Sequence, residues 1–189
     1  MSGRWCFGYG SLVNTQTHPF CQNHRTHLLG WERVWAHRIT TPTTCLTSLS
    51  IRPKGGSSVA GLLSFVETSQ IADLDLREQN YNLHSLEHSD LSNAQQATTA
   101  LTTYVSSSQT IGNADFPILQ SYLDTVMQGF LLEFGEGGVA DFLKTTAGWE
   151  TPILKDRESP FYPRATRLST FQKELFDQLL RDFGVEFLS

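Results

Sequence analysis

A chain of 189 residues, 39% hydrophobic and 17% charged, is long enough to bury a core and too apolar to stay disordered. Its net charge of -5, from 14 Lys and Arg against 19 Asp and Glu, argues against a nucleic-acid surface. A small anionic ligand needs only one local pocket and stays compatible. No apolar run is long enough to span a bilayer, no h-region follows the first residues, and 3 cysteines suit reduced thiols better than a disulfide framework. These features predict one cytoplasmic domain over 1–189 that engages neither membrane nor nucleic acid. Its oligomeric state leaves no mark in the sequence.

The chain opens on a strand-like run, RWCFGYGSLVN (4–14), that ends in a glycine-rich turn. Gly8 and Gly10 permit positive φ and close approach of a ligand, Ser11 can add a hydroxyl, and successive amides in such a turn can cradle an anion. A glycine bulge at a strand end accounts for the same residues without a ligand. A phosphate loop does not, because its lysine and third spaced glycine are missing. Cys6 has no marked histidine partner and reads as a buried strand thiol. THPFCQNHRTH spaces His18, Cys21, His24 and His27 every three residues. Without a CxxC or a second ligand pair it reads as a turn-rich loop, and no metal is expected.

HLLGWERVWAHRIT, CLTSLSIRP and SVAGLLSFV follow as strands, the last two forming a hairpin across Pro53-Lys54-Gly55-Gly56. TSQIADLDLREQNY then reads as a helix from a cap at Thr68. On it Asp75 and Glu78 could share a face while Arg77 projects differently, and an Arg-Glu pair near a helix end is usually a solvated salt bridge. NLHSLEHSDL and QATTALTTYVSS return to strand patterns, and 106–115 is a polar loop. From about 116 the chain turns helical. PILQSYLDTVMQGFLLEF sets Ile118, Tyr122, Leu123, Val126, Phe130 and Leu131 near one stripe, residues 135–138 break it, and VADFLKTTAGW resumes it. ETPILKDRESPFYPRA is a basic loop whose Arg and Lys could bind a substrate carboxylate, although plain solvent exposure is commoner. STFQKELFDQLLRDFGVEFL closes as an amphipathic helix capped by Ser169 or Thr170. The expected fold is α+β, a curled mixed sheet or small β-barrel with flanking helices and a mostly helical C-terminal extension.

Taken together, FGYGSL and the later LDLREQNY resemble the gamma-glutamylcyclotransferase superfamily, nearest in type to its GYGSL branches, which include the ChaC-like glutathione-degrading enzymes. The resemblance implies that Tyr9, Gly10, Ser11 and Leu12 line the pocket for a γ-glutamyl group, and that Glu78 is the acid/base. It also implies a cofactor-free reaction on a small γ-glutamyl substrate. The α-amine attacks the γ-carbonyl of its own molecule, releasing 5-oxoproline and a free amine. A catalytically inactive binding or interaction module on the same fold is the alternative.

Burial beside apolar neighbours would raise the Glu78 pKa, and an inward Arg77 would oppose that, so Arg77 is expected to point away or anchor the helix. Tyr81 and Tyr122 are the next candidates for hydroxyls facing the substrate, a role rarer than that of core aromatic. One departure is plain. The glutathione-specific branch carries a tryptophan where this chain has Asn14.

Overall fold

The computed structural model describes residues 2–42 and 44–188, and its architecture is α+β. Strand β1 (Gly3–Gly8) sends alternate side chains to opposite faces. Trp5 and Phe7 enter the main core, while Cys6 joins Val66, Leu74 and Tyr104 in a smaller cluster. Two 3-10 turns, Ser11–Val13 and Thr15–Thr17, lead into β2 (Cys21–Thr40). This strand and β3 (Cys45–Glu67) form one long antiparallel hairpin.

CLTSLSIRP and SVAGLLSFV are therefore one strand, not the two arms of a hairpin. Gly55 and Gly56 do not reverse the chain; they sit in a wide bulge where Leu29 to Trp31 of β2 faces Pro53 to Ser58 of β3. Gly30 and Gly56, at φ +77° and +76°, take the left-handed conformation that lets both strands bend together.

Helix α1 (Thr68–Arg77) starts one residue earlier than its sequence suggests. Glu67 is the N-cap and forms a capping box with Gln70. Strands β4 (Asn82–Leu86) and β5 (Leu101–Val105) pair antiparallel, and β5 lies parallel to β1. The remaining elements are β6 (Ile118–Leu119), α2 (Gln120–Thr145), β7 (Thr146–Ala147), β8 (Ile153–Leu154), α3 (Thr170–Phe183) and β9 (Phe187–Leu188). The main sheet runs β4-β5-β1-β3-β2-β7, and β6-β8-β9 make a small second one. Strands β4 and β7 are free edges, so the sheet is curled and open and the barrel form does not occur. Among the described residues no helix is long and apolar enough to cross a membrane, and Cys6, Cys21 and Cys45 are free thiols.

Helix α2 does not present a single apolar stripe: every residue from Gln120 to Phe130 is buried. Its apolar side meets the sheet, and its polar side is covered by the C-terminal loop, whose groups satisfy it. Asp156 accepts hydrogen bonds from the Ser121 amide (2.7 Å) and hydroxyl (2.6 Å), a favourable place for a carboxylate at a helix N-terminus. Arg157 binds both oxygens of Asp124, and Gln128 donates to the Arg167 carbonyl. Gly135, at φ +71°, breaks the helix where the glycine cluster predicts a break. Helix α3 is capped by Ser169 and ends on left-handed Gly184.

Asn14 is fully buried and joins the turn after β1 to this helix. Its amide nitrogen donates to the Thr125 carbonyl and to Gln128 Oε1, each at 2.9 Å. Gly129 makes that approach possible, since a Cβ there would lie 2.6 Å from the Asn14 backbone nitrogen. Gly129→Ala should cost about 1–3 kcal/mol by overpacking, read as a lower urea midpoint with an unchanged m-value.

Candidate active site

The 8–12 turn, Leu49, Glu78 and the rings of Tyr81, Tyr104 and Tyr122 enclose a niche of about 30 Å³. A groove of about 390 Å³ lies beside it and shares Ser11, Glu78, Tyr81 and Tyr122 as its inner wall. Tyr9, Gly10, Ser11, Leu12, Glu78, Tyr81 and Tyr122, the residues singled out from sequence, thus line one space although they come from three parts of the chain.

Neither Gly8 nor Gly10 adopts positive φ. Each glycine is needed for close approach instead. A Cβ on Gly8 would sit 2.5 Å from Leu12 Cβ, and one on Gly10 would sit 3.0 Å from the Tyr122 hydroxyl. In the first 3-10 turn the Val13 amide donates to the Gly10 carbonyl and Asn14 to that of Ser11. The amides of Gly10, Ser11 and Leu12 precede those bonds and find no acceptor among the described residues. They are free to meet an anion. The Tyr9 carbonyl is turned the other way and accepts from Arg33 Nε at 2.7 Å.

The tyrosine hydroxyls divide. Tyr9 donates to the Tyr104 carbonyl at 2.6 Å, and Tyr81 donates to the Leu49 carbonyl (2.8 Å) while meeting Ser48 Oγ (2.7 Å). Both line the niche with their rings and spend their hydroxyls on the sheet. Tyr122 brings its hydroxyl against Gly10, with the Leu49 backbone beside it. Burial raises the pKa of all three phenols, which stay neutral hydrogen-bonding groups at physiological pH.

Glu78 is the C-cap of α1, at φ -100° and ψ 19°. Leaving the helix there lets neighbouring side chains meet, and Arg77 Nε lies 3.1 Å from Glu78 Oε1. Arg77 does not point away, then. It anchors α1 while facing inward: its guanidinium also donates to the Thr17 carbonyl and to Ser11 Oγ, both at 3.0 Å. The pair is far from solvated, at 7% and 14% side-chain exposure. Asp75 leaves the Glu78 face and joins Arg4 and Tyr104 instead.

Burial is the largest influence on Glu78 and raises its pKa; Arg77 and then Arg164 oppose the shift without cancelling it. Its position at the negative end of the α1 dipole acts in the same direction as burial. Among the described residues no group of three or more His, Cys, Asp or Glu could hold a metal. His18 is occupied with the Leu12 carbonyl at 3.0 Å, and burial lowers its pKa to about 4. Burial pushes the Cys6 thiol up to about 12, which leaves it protonated and inert.

The inward turn of Arg77 and the helix-borne Asn14 contacts escape a reading of motifs alone. Only Arg77 carried a local signal, its adjacency to Glu78, and ideal helix geometry argued against contact between them.

Solved structures share this fold. A gamma-glutamyl cyclotransferase superposes with a TM-score of 0.58 at 13% identity, covering 94% of this chain and 99% of that one. An uncharacterised human protein gives 0.57 at 14% identity, with 95% and 99% covered. YkqA from Bacillus subtilis gives 0.57 at 18% identity, covering 78% of this chain and 57% of its own. The fold is that of the gamma-glutamyl cyclotransferases. A model of the ChaC-like protein family matches residues 4–116, more than half of the 189, and the chain belongs to that family within the gamma-glutamylcyclotransferase superfamily. No curated protein matches it by sequence.

The raised Glu78 pKa fixes the sign of a pH effect. Below the ordinary carboxyl value of 4.5 the group is protonated in both states and costs the fold nothing. As pH climbs, the unfolded chain releases this proton first, so stability is lost from there up through the folded value. Glu78→Gln should remove that slope. Urea melts from about pH 4 to 8 should show the variant gaining on the native protein as pH rises.

Proposed function

We propose that this protein is a gamma-glutamylcyclotransferase-type enzyme that converts a γ-glutamyl amide to 5-oxoproline and a free amine. The observation that carries this reading is the convergence of a buried, pKa-raised carboxylate and a set of unpartnered amides on one niche. The two motifs are far apart in sequence and separate elements hold them.

The reaction suits those parts. Nucleophile and electrophile belong to one molecule, so folding the substrate into a near-attack shape supplies much of the acceleration. The glutamyl end would sit against the Gly10, Ser11 and Leu12 amides, which suit its carboxylate or the developing oxyanion. Its remainder would cross the shared wall into the groove.

Glu78 takes a proton from the α-ammonium, freeing the amine to attack the γ-carbon. The new C–N bond closes the lactam, the carboxyl returns the proton to the leaving nitrogen as the old bond breaks, and a second proton shed by the ring nitrogen leaves the departing amine as an ammonium. No proton is gained or lost, and no water or cofactor is consumed. A raised pKa brings Glu78 closer to both tasks, and Arg77 fixes its orientation and moderates the shift.

Incubating the protein with glutathione, γ-glutamyl amino acids and γ-glutamyl amines should release 5-oxoproline from at least one of them. Glu78→Gln should lower that turnover by about 10²–10⁴-fold while the protein still folds and binds the substrate. Turnover retained in the variant would remove Glu78 from the chemistry. A native protein that releases no 5-oxoproline from the whole panel would leave the fold as an inactive binding module.

A further inference from the structure

Among the described residues, the charged groups on the wall of the groove outside the niche are Arg77, Glu78 and Arg164. Arg77 and Glu78 pair with each other. Arg164 makes no hydrogen bond and no ion pair among the described residues, and its guanidinium stands exposed at the groove mouth. The groove therefore carries one uncompensated positive charge in a protein whose net charge is -5. Around it the wall is apolar and aromatic, with Ile39, Leu46 and Leu119 beside Phe161 and Tyr162.

We infer that Arg164 selects substrates whose leaving group carries a free carboxylate, so that γ-glutamyl amino acids and peptides are preferred over γ-glutamyl amines. The inference rests on the reaction proposed above and names the class of its leaving group. If the glutamyl end occupies the niche, the leaving group extends into the groove, where its side chain meets the apolar wall. A carboxylate on it then finds Arg164, which has no hydrogen-bond or ion-pair partner among the described residues. A guanidinium suits the task because its planar fork donates to both carboxylate oxygens at once. Glu78 also feels Arg164 but stays outside ion-pair distance, so that attraction leaves the fork unoccupied. Arg164 lies beyond residues 4–116, in the part of the chain that the family match does not reach.

The test compares γ-glutamylalanine with γ-glutamylalaninamide, which differ only in the charge of the leaving group. The native protein should favour the acid in kcat/KM by about tenfold or more, the usual weight of a charge-assisted hydrogen bond. Arg164→Gln should bring the ratio toward one, and Arg164→Lys should retain part of it. Any effect of Arg164 on the proton affinity of Glu78 acts on both substrates and cancels in the ratio. A ratio unchanged in Arg164→Gln, or equal turnover of both by the native protein, overturns the inference. Calorimetric binding of the same pair to Glu78→Gln, with and without Arg164→Gln, reads the site apart from chemistry. Acid-selective binding that Arg164→Gln abolishes, without 5-oxoproline from the native protein, would keep the assignment and overturn the reaction. Binding of neither compound would overturn both.

Discussion

A guanidinium without a carboxylate partner holds the centre of this fold. Arg33 is fully buried, packs against the stacked pair of Phe130 and Phe142 rings at 4.9 and 5.0 Å, and donates to the carbonyls of Tyr9 and Ala60 and to the Thr146 hydroxyl. Burial draws its pKa down to about 9, which still leaves it charged at neutral pH. A buried charge must be saturated with acceptors and polarisable surface, or the fold would not tolerate it. Meeting that demand joins the end of β1, the middle of β3 and the start of β7, the three places that frame the turn after β1. By taking the Tyr9 carbonyl, Arg33 fixes the peptide plane that leads into the turn lining the niche.

Two further contacts complete the hold on that turn. Asn14 fastens its far end to α2, and Arg77 fastens Ser11 to the end of α1. The niche is thus defined by polar contacts on three sides and by tyrosine rings between them. Glu78 faces it under opposing influences, since burial and the helix end favour the neutral carboxyl whereas two arginines favour the charge. A carboxyl under such tension exchanges a proton more readily near neutral pH than one that is simply ion-paired.

Much of this was legible in the sequence, and what was missed has identifiable causes. Caps, glycines and proline punctuation located α1, α3 and the break in α2, because these signals act within a few residues. The two motifs located the niche because their residue types are unusual and ordered. The β2–β3 hairpin was misread because Gly55-Gly56 looks the same in a turn and in a bulge; only the partner strand decides between them. The stripe on α2 failed for a related reason, since a helix covered on every side by sheet and loop has no solvent face to mark. Arg77 anchors its helix, one of the two roles expected of it, but its contact with Glu78 was not legible because it depends on the chain leaving helical geometry at one residue. The roles of Asn14 and Arg33 follow from distant contacts that no local pattern encodes.

The long hairpin of β2 and β3 also bears on when the site comes into being. Its strands are neighbours in sequence, so its ladder can form after a short loop closure, whereas β1 must wait for β3 and then for β5, Trp5 pairing with Leu101. The niche draws on residues from Phe7 to Tyr122 and exists only after the last of those long closures. A nascent or partly unfolded chain can own most of its hydrogen-bonded sheet and still have nowhere to hold a ligand. A ligand held by those residues would report completion of the whole topology and would stabilise the least local contacts of the chain.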